Sequence, residues 1–366
     1  MAFYRVAQVT LDASGDDAGG HSLIYYVATE RHIRRPEKYL RINPDLRNVL
    51  RTLTYEEIFF QRGGPVGHYI FTDHDRLTRF ELDCASLFCD ALQKVAPDAT
   101  ILNHPARLKD RVPFLLALQK AGINSFGVTR LETGERPPQY PVFLRSEDGC
   151  GGPETDLIHN DSEFDSALAS LKARGKTLRG RIAVGYAAQA GPDGHFRKYG
   201  AYKIGADILP HHIHLGQHWV VKRNVPDLDW TQPNDRSVEL RDSAVTEELE
   251  YVRTNPHREI INKAFEIAQT EFGRIDYGIV DGRIEIFEIN TNPGLPKFTR
   301  SDARNVVRDI TKAQLVAGFH TLNTPIVGKQ AFVRFKLPKT LDHKFRLPVK
   351  YLPRAMRRVV QRMFVT

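Results

Sequence analysis

The chain has little cysteine: Cys84, Cys89 and Cys150 are the three among 366 residues, and no two of them form a C-x-x-C pair. So small and odd a set excludes a disulfide framework and a cysteine-based zinc site, and a reducing, cytoplasmic setting is expected. No apolar run approaches the roughly 18 residues that a membrane-spanning helix needs. The opening segment, MAFYRVAQVTLDASGDD, lacks a basic stretch followed by an apolar one, so no secretory signal is expected. With Gly at 26, Pro at 21 and hydrophobic residues at 41%, collagen-like, low-complexity and wholly disordered chains fall away. What remains is a globular chain long enough for about two or three domains and more than one buried core.

Basic charge is scarcer in the body than the net +8 suggests. Residues 331–366 hold ten Lys/Arg against one acid, Asp342, so residues 1–330 sum to −1. A nucleic-acid partner therefore loses its main support and is not expected. In the tail, Leu352, Ala355, Met356, Val359, Val360, Met363 and Phe364 recur at helical spacing, with Arg354, Arg357, Arg358, Gln361 and Arg362 on the other side. Pro353 suits a first turn. This predicts a basic amphipathic helix, which fits docking on the body, an anionic membrane surface or a protein partner. Docking is the simplest of the three.

The first hundred residues read as strand, helix and strand: HSLIYYVAT (21–29), HYIFTD (68–73), a helix over Phe80–Val95 and a strand over Ala99–Asn103. That order predicts a parallel α/β layer. A further helix is expected over about Asp110–Lys120, with Gly122 at its end. From Pro141 the texture changes. PVFLR (141–145) runs into the glycine-rich loop Ser146–Gly152; a helix follows from Asp161, a plausible N-cap, to Leu171. Strands are expected over 181–188, 196–208 and HWVVK (218–222), and a helix over about Asn255–Phe272. RIDYGIV and RIEIFEIN are joined at Asp281-Gly282, a strong hairpin signal. Domain boundaries are expected near 105–125 and near 325.

The hairpin carries the most chemistry. Glu288 and Asn290 are two apart and share a face, while Phe287 and Ile289 take the other. A loop of two residues would set Ile275 opposite Glu288. A three-residue loop with Gly282 left-handed, or a bulge, shifts the pairing by one, setting Asp276 opposite Glu288 and Arg274 opposite Asn290. We expect the three-residue or bulged form, which gathers Arg, Asp, Glu and Asn into one patch. Carboxylate and amide oxygens suit Mg²⁺ held together with substrate phosphates, and an adjacent arginine holds phosphoryl oxygens in a planar fork. Ordinary surface charge on an exposed hairpin is the plain alternative. Against it, Thr291-Asn292-Pro293-Gly294 continues from the strand as a sharp turn aimed at the patch.

Gly273-Arg274-Ile275-Asp276 followed by Glu288-Ile289-Asn290-Thr291-Asn292-Pro293-Gly294 resembles the closing motif of the ATP-grasp superfamily, in its carboxylate–amine ligases such as D-alanine–D-alanine ligase. The resemblance is clearest over 141–300, weaker over 99–130, and silent on the tail. It implies an α/β and α+β chain in three parts. A pre-ATP-grasp α/β domain (1–125) leads; an ATP-grasp domain (126–325) clasps ATP between a small lobe (about 126–190) and a large lobe (about 191–325); a basic tail (326–366) follows. It implies Asp276, Glu288 and Asn290 as ligands of Mg²⁺, for which Mn²⁺ can substitute, and Arg274 as phosphoryl clamp.

In this superfamily a lysine near a helix start and another at a strand end touch the nucleotide phosphates. Here those places hold Arg111 and Arg145, which keep the charge and a fork that suits phosphate. Gly149, Gly151 and Gly152 offer backbone N–H groups to phosphate oxygens, although Glu147 and Asp148 are unusual there. The strand 181–188, with Val184 and Tyr186, occupies the place of the adenine-binding hinge, and Gln189 that of a ribose-holding acid. Phe196-Arg197-Lys198-Tyr199 and Lys222 supply further cations.

His211, His212, His214 and His218 invite a metal reading, yet no neighbouring acid or cysteine completes a tetrahedral set, so structural or substrate-facing roles are expected. Lys297, Thr299, Arg300 and Ser301 stand where an acceptor would come, with helix capping by Ser301 as the simpler role. The implied reaction is ATP-dependent joining of a small carboxylate to an amine or thiol. A kinase acting on a small-molecule hydroxyl and a non-catalytic nucleotide-binding module are the alternatives.

Overall fold

A computed structural model describes residues 22–148, 151–221, 242–296, 304–328 and 330–337. The amphipathic tail helix, Gly149, Cys150, Lys222 and the segment holding Lys297, Thr299, Arg300 and Ser301 lie outside these residues.

The chain begins with β1 (Ile24–Ala28), α1 (Arg34–Ile42), β2 (Leu50–Thr54), α2 (Tyr55–Gln61), β3 (Gly63–Pro65), β4 (His68–Phe71), α3 (Arg79–Val95) and β5 (Ile101–Leu102). β1, β2, β4 and β5 form a parallel sheet in the order β2-β1-β4-β5. Both α2 and α3 start in a reciprocal cap: Thr54 with Glu57, and Thr78 with Glu81. Each satisfies two otherwise orphan N–H groups and contributes about 1 kcal/mol. The apolar face foreseen on α3 buries Cys84, Phe88 and Leu92. Phe88 meets Tyr69, Phe71 and Phe335 edge-on, a geometry that adds roughly 0.5–1.5 kcal/mol per pair to simple burial.

Next come α4 (Arg111–Lys120), β6 (Val128–Arg130), β7 (Val142–Ser146), α5 (Asp161–Ala173) and β8 (Arg181–Gly185). The three strands form an antiparallel sheet in the order β6-β8-β7. The N-cap of α5 is Asn160, whose side chain accepts from the Glu163 backbone N–H; Asp161 is instead the first helical residue. The more N-terminal side chain reaches the N3 amide, and Asp161 serves by its charge at the dipole.

The last part holds β9 (Phe196–Ile204), β10 (Asp207–Gly216), α6 (Asp242–Thr254), α7 (Arg258–Ala268), β11 (Phe272–Val280), β12 (Arg283–Asn290), α8 (Asn305–Leu322) and β13 (Phe332–Arg334), which pairs with β3. The sheet order β10-β9-β11-β12 is antiparallel throughout. One face, with Tyr199, Ala201, Ile213, Ile275 and Tyr277, packs into the core with Tyr251, Ala264 and Phe265 of α6 and α7. The other face carries Lys198, Arg274, Asp276 and Glu288 toward one end and Tyr202, Ile204 and Phe272 toward the other. The expected strand HWVVK is not formed: Gln217–Val220 is a bend that carries Trp219 against Phe143 and Tyr186. The helix expected over 255–272 ends at Ala268, because Gln269 turns left-handed (φ 55°) and β11 begins at Phe272.

A parallel α/β layer followed by two antiparallel α+β lobes is the architecture that the resemblance implies. Leading layer and large lobe share a core in which Tyr26 and Ile70 meet Tyr202, Phe272 and Phe319.

Candidate active site

The hairpin pairing sets the site. Arg274 lies opposite Asn290 and Asp276 opposite Glu288, as the bulged form requires. The means differ from the sequence argument. The loop is only two residues long, Asp281 and Gly282, both left-handed (φ 48° and 76°). The register shifts further along, between Asp276 and Tyr277, where Phe287 is the extra residue of β12. A two-residue loop thus does not disperse the patch, because an interior bulge restores the pairing. Room for Phe287 comes from Gly278, where a Cβ would stand 2.9 Å from the ring.

Two carboxylates anchor the patch, each nearly sealed from water. Asp276 pairs with Arg274 (2.9 Å) and Lys198 (3.4 Å). Burial opposes the Arg274 charge, but Asp276 outweighs it and lifts that pKa above the ordinary arginine value. Glu288 Oε2 accepts from Arg111 (2.7 Å) and Arg145 (3.4 Å), while Asn290 donates to Oε1 (3.4 Å). Arg111 opens α4 and also donates to the Glu147 carbonyl (2.7 Å). The Glu147 carboxylate turns away to Arg130 (2.6 Å), so that acid is spent within the small lobe. Residues more than a hundred positions apart in the chain therefore converge on one acid.

Two cavities meet here. The smaller, about 120 Å³, is an apolar slot lined by Leu115, Phe126, Val184, Trp219, Ile279 and Phe287. Tyr186, Gln189, Arg145 and Gly152 also line it. Gly151 is exposed and is not among its walls. Gln189 commits both ends of its amide to Asp281 (2.7 and 2.9 Å), closing the hairpin tip onto the hinge; it is not turned to a ribose. The larger cavity, about 790 Å³, is polar and holds Arg274, Asn290 and the three histidines of β10. Arg111, Lys198, Asp276 and Glu288 line both.

The far wall of the large cavity comes from the leading layer. In the order β2-β1-β4-β5 the chain reverses direction between β1 and β4, and ligands of open α/β sheets bind beyond the carboxyl ends at such a point. The loops there supply Arg31, His32, Asp73 and His74, and the first turn of α1 supplies Arg35. Asp73 is a hub that the sequence reading missed. It takes hydrogen bonds from the Thr29 hydroxyl (2.8 Å) and the Asn292 amide (2.9 Å), and faces His32 at 3.1 Å. Tyr26 donates to Asn292 Oδ1 (2.9 Å). The Asn292 turn, read as aimed at the patch, is thereby tied to the leading layer. Asp73 is left-handed (φ 57°), a local trait that a bare sequence does not announce.

His74 is buried and its pKa falls to about 4, chiefly through desolvation. The unfolded value is higher, so the unfolded chain binds the extra proton between those values and stability drops as pH falls from about 6.5 toward 4. His211, His212 and His214 shift in the same direction, burial being the main cause. Buried Glu248, its pKa raised by desolvation, acts oppositely and offsets part of the trend. Through His74 alone the chain should lose roughly 2 kcal/mol between pH 7.5 and pH 5. A urea midpoint that is flat over that range would count against neutral buried histidines.

Asp276, Glu288 and Asn290 form a hard oxygen set suited to a divalent ion that completes its shell from phosphate oxygens, as Mg²⁺ does. Among the described residues no group of three His, Cys, Asp or Glu is placed to hold an ion alone. Rings of His212 and His214 stack at 3.9 Å, so their in-plane lone pairs run side by side and do not converge on a metal.

No protein-family model matches the sequence, and no curated protein matches it. Among solved structures the chain is similar to D-alanine–D-alanine ligase from Bacillus anthracis complexed with ATP, at 10% identity and TM-score 0.45, over 82% of this chain and 96% of that one. L-amino acid ligase from Bacillus licheniformis follows at 11% and 0.42, over 84% and 75%. A RimK domain protein ATP-grasp from Sphaerobacter thermophilus matches at 14% and 0.42, over 80% and 99%. Likeness at this level assigns this chain no substrate. No helix among the described residues is long and apolar enough to cross a membrane.

Proposed function

We propose that the chain is an ATP-dependent ligase that joins a small carboxylate to an amine or thiol. The reading rests on one observation: an apolar slot beside the hinge strand and a polar chamber beside the leading layer share Arg111, Lys198, Asp276 and Glu288 as common wall. A nucleotide base in the slot would bring its terminal phosphate to that wall, and an acceptor in the chamber would meet it there.

Arg111 and Arg145 hold phosphate oxygens in place of the lysines usual in the superfamily. Asp276, Glu288 and Asn290 would hold Mg²⁺, which would neutralise phosphate charge. The substrate carboxylate oxygen attacks the γ-phosphorus, and the bond from that phosphorus to the β–γ bridging oxygen breaks, leaving ADP and an acyl phosphate. Arg274, fixed by Asp276, would hold the acyl phosphate oxygens. The amine nitrogen then attacks the acyl carbon; the C–O bond to phosphate breaks, and the amine gives up a proton. Positioning and charge stabilisation do most of the work.

A screen of amino acids and small acids, paired with amines, should find a combination that releases ADP and inorganic phosphate in equal amounts. A phosphorylated acceptor without free phosphate would overturn the ligase reading in favour of a kinase. ATP binding with no turnover across the screen would favour a nucleotide-binding module.

A further inference from the structure

The proposed reaction ends with an amine that loses a proton, a step that a base on the acceptor side would speed. Five histidines line the large cavity: His32, His74, His211, His212 and His214. His74 is buried, its pKa falls to about 4, and its Nε2–H donates to the Asn103 carbonyl (3.1 Å). A bulge in β10 between Pro210 and His212 sets His211 beside His212 and His214, and burial holds all three well below the ordinary histidine value. Among the described residues none of these four pairs with a carboxylate, whereas His32 does.

His32 stands in the turn between β1 and α1, its side chain 17% exposed at the cavity wall. Its partner Asp73 is buried and accepts on every side. Oδ2 takes the Thr29 backbone N–H (3.0 Å) and hydroxyl (2.8 Å), and Oδ1 takes the Asn292 amide (2.9 Å) and faces His32 Nδ1 (3.1 Å). No Lys or Arg pairs with this carboxylate among the described residues; Arg35 is turned to the Asn292 carbonyl (3.4 Å).

This network decides the tautomer. An ionised carboxylate only accepts, so Nδ1 must carry the proton that it meets. The Thr29 hydroxyl has given its proton to Oδ2, so its oxygen too can only accept from Nδ1 (3.3 Å). The lone pair of the uncharged ring therefore lies on Nε2, to which no hydrogen bond is made among the described residues. The Asp73–Asn292 bond also fixes the ring relative to the patch, since Asn292 follows Asn290 by two residues.

We infer that His32, positioned by Asp73, is the catalytic base that takes the proton of the attacking amine at Nε2. The role rests on the ligase reading and adds the proton acceptor which that reading lacks. The amine nitrogen bonds to the acyl carbon as its N–H proton passes to Nε2. The C–O bond to phosphate then breaks and its electron pair leaves with the phosphate. The imidazolium keeps Asp73 as counter-charge and returns its proton to the departing phosphate.

Hydroxylamine separates the two half-reactions, because it is largely uncharged at neutral pH and attacks acyl phosphates unaided, whereas an ordinary amine is mostly protonated there. The full chain is given ATP, Mg²⁺ and, as carboxylates, the twenty amino acids and succinate. The nucleophile is either hydroxylamine, read as hydroxamate, or the amino acids themselves, read as amide. His32→Gln should lower amide formation about a hundredfold or more and hydroxamate formation by less than tenfold. Added imidazole should raise amide formation by His32→Ala at least about tenfold, which a merely structural loss would not allow. Asp73→Asn, which disturbs the tautomer, should lower amide formation at least about tenfold. The inference is overturned by amide formation within tenfold in His32→Gln, by an equal fall in hydroxamate, by no rescue with imidazole, or by hydroxamate from the unaltered protein with no amide from any acceptor. In each of those cases hydroxamate from the unaltered protein keeps the ligase reading standing. No hydroxamate from any acid with the unaltered protein would sink the ligase reading, and the role of His32 with it.

Discussion

Asp276→Asn and Glu288→Gln should each lower ADP release by about a thousandfold or more, the equivalent of roughly 4 kcal/mol of transition-state stabilisation. Both amides keep the shape of the side chain and remove its charge. Asp276 is the common partner of Arg274 and Lys198, and Glu288 of Arg111 and Arg145. Neutralising either leaves cations that face phosphate unbalanced and removes a negative charge from the candidate ion site. The fold should survive, since the hairpin register rests on Gly282 and the Phe287 bulge and not on these charges. Circular dichroism and steady-state phosphate release at several Mg²⁺ concentrations separate the two effects. Turnover within tenfold of the unaltered protein would reject the ligand assignment.

Asn103→Ala should cost about 4 kcal/mol of stability, the largest expected from a single side chain away from the hydrophobic core. Asn103 is fully buried at the end of β5 and left-handed (φ 60°). Its amide nitrogen donates to the Phe71 (3.0 Å) and Phe272 (2.6 Å) carbonyls, and its oxygen accepts from the Glu271 and Phe272 backbone N–H groups (both 2.9 Å). Alanine would leave four backbone groups without these partners and adds about 1 kcal/mol for the left-handed backbone. The bonds cross from the leading layer to β11, the strand that carries Arg274 and Asp276. Weaker acceptor binding should therefore accompany the lower unfolding midpoint. A loss below about 1 kcal/mol in urea titration would mean that water replaces the amide and that the junction is looser than its geometry.

The parallel layer, the α3 face and the strand pair at 272–290 were legible because apolar period and turn residues are local. So was the content of the patch: Arg274, Asp276, Glu288 and Asn290 lie in one hairpin, and pairing alone brings them together. The arginines needed more. Arg111 and Arg145 were placed only through the resemblance, and nothing near either residue announces that both reach Glu288. Trp219 was read as part of a strand, since HWVVK has the right composition; its tertiary neighbours Phe143 and Tyr186 draw it into a bend. Helices α1, α2, α6 and α8 were left unassigned.

By itself, the amino-acid order determined which groups could meet across the hairpin, that three histidines stand almost side by side, and that the positive charge is gathered in the tail. Tertiary structure decided the rest. An interior bulge, not the loop, set the register; another bulge turned His211 to the same side as its neighbours. The reversal of strand order beside β1 placed Asp73 against Asn292, 219 positions away in the chain. Bulges and long-range pairings of this kind depend on how whole sheets pack, because a shift of one residue along a strand exchanges its two faces, and no short stretch of sequence carries that choice.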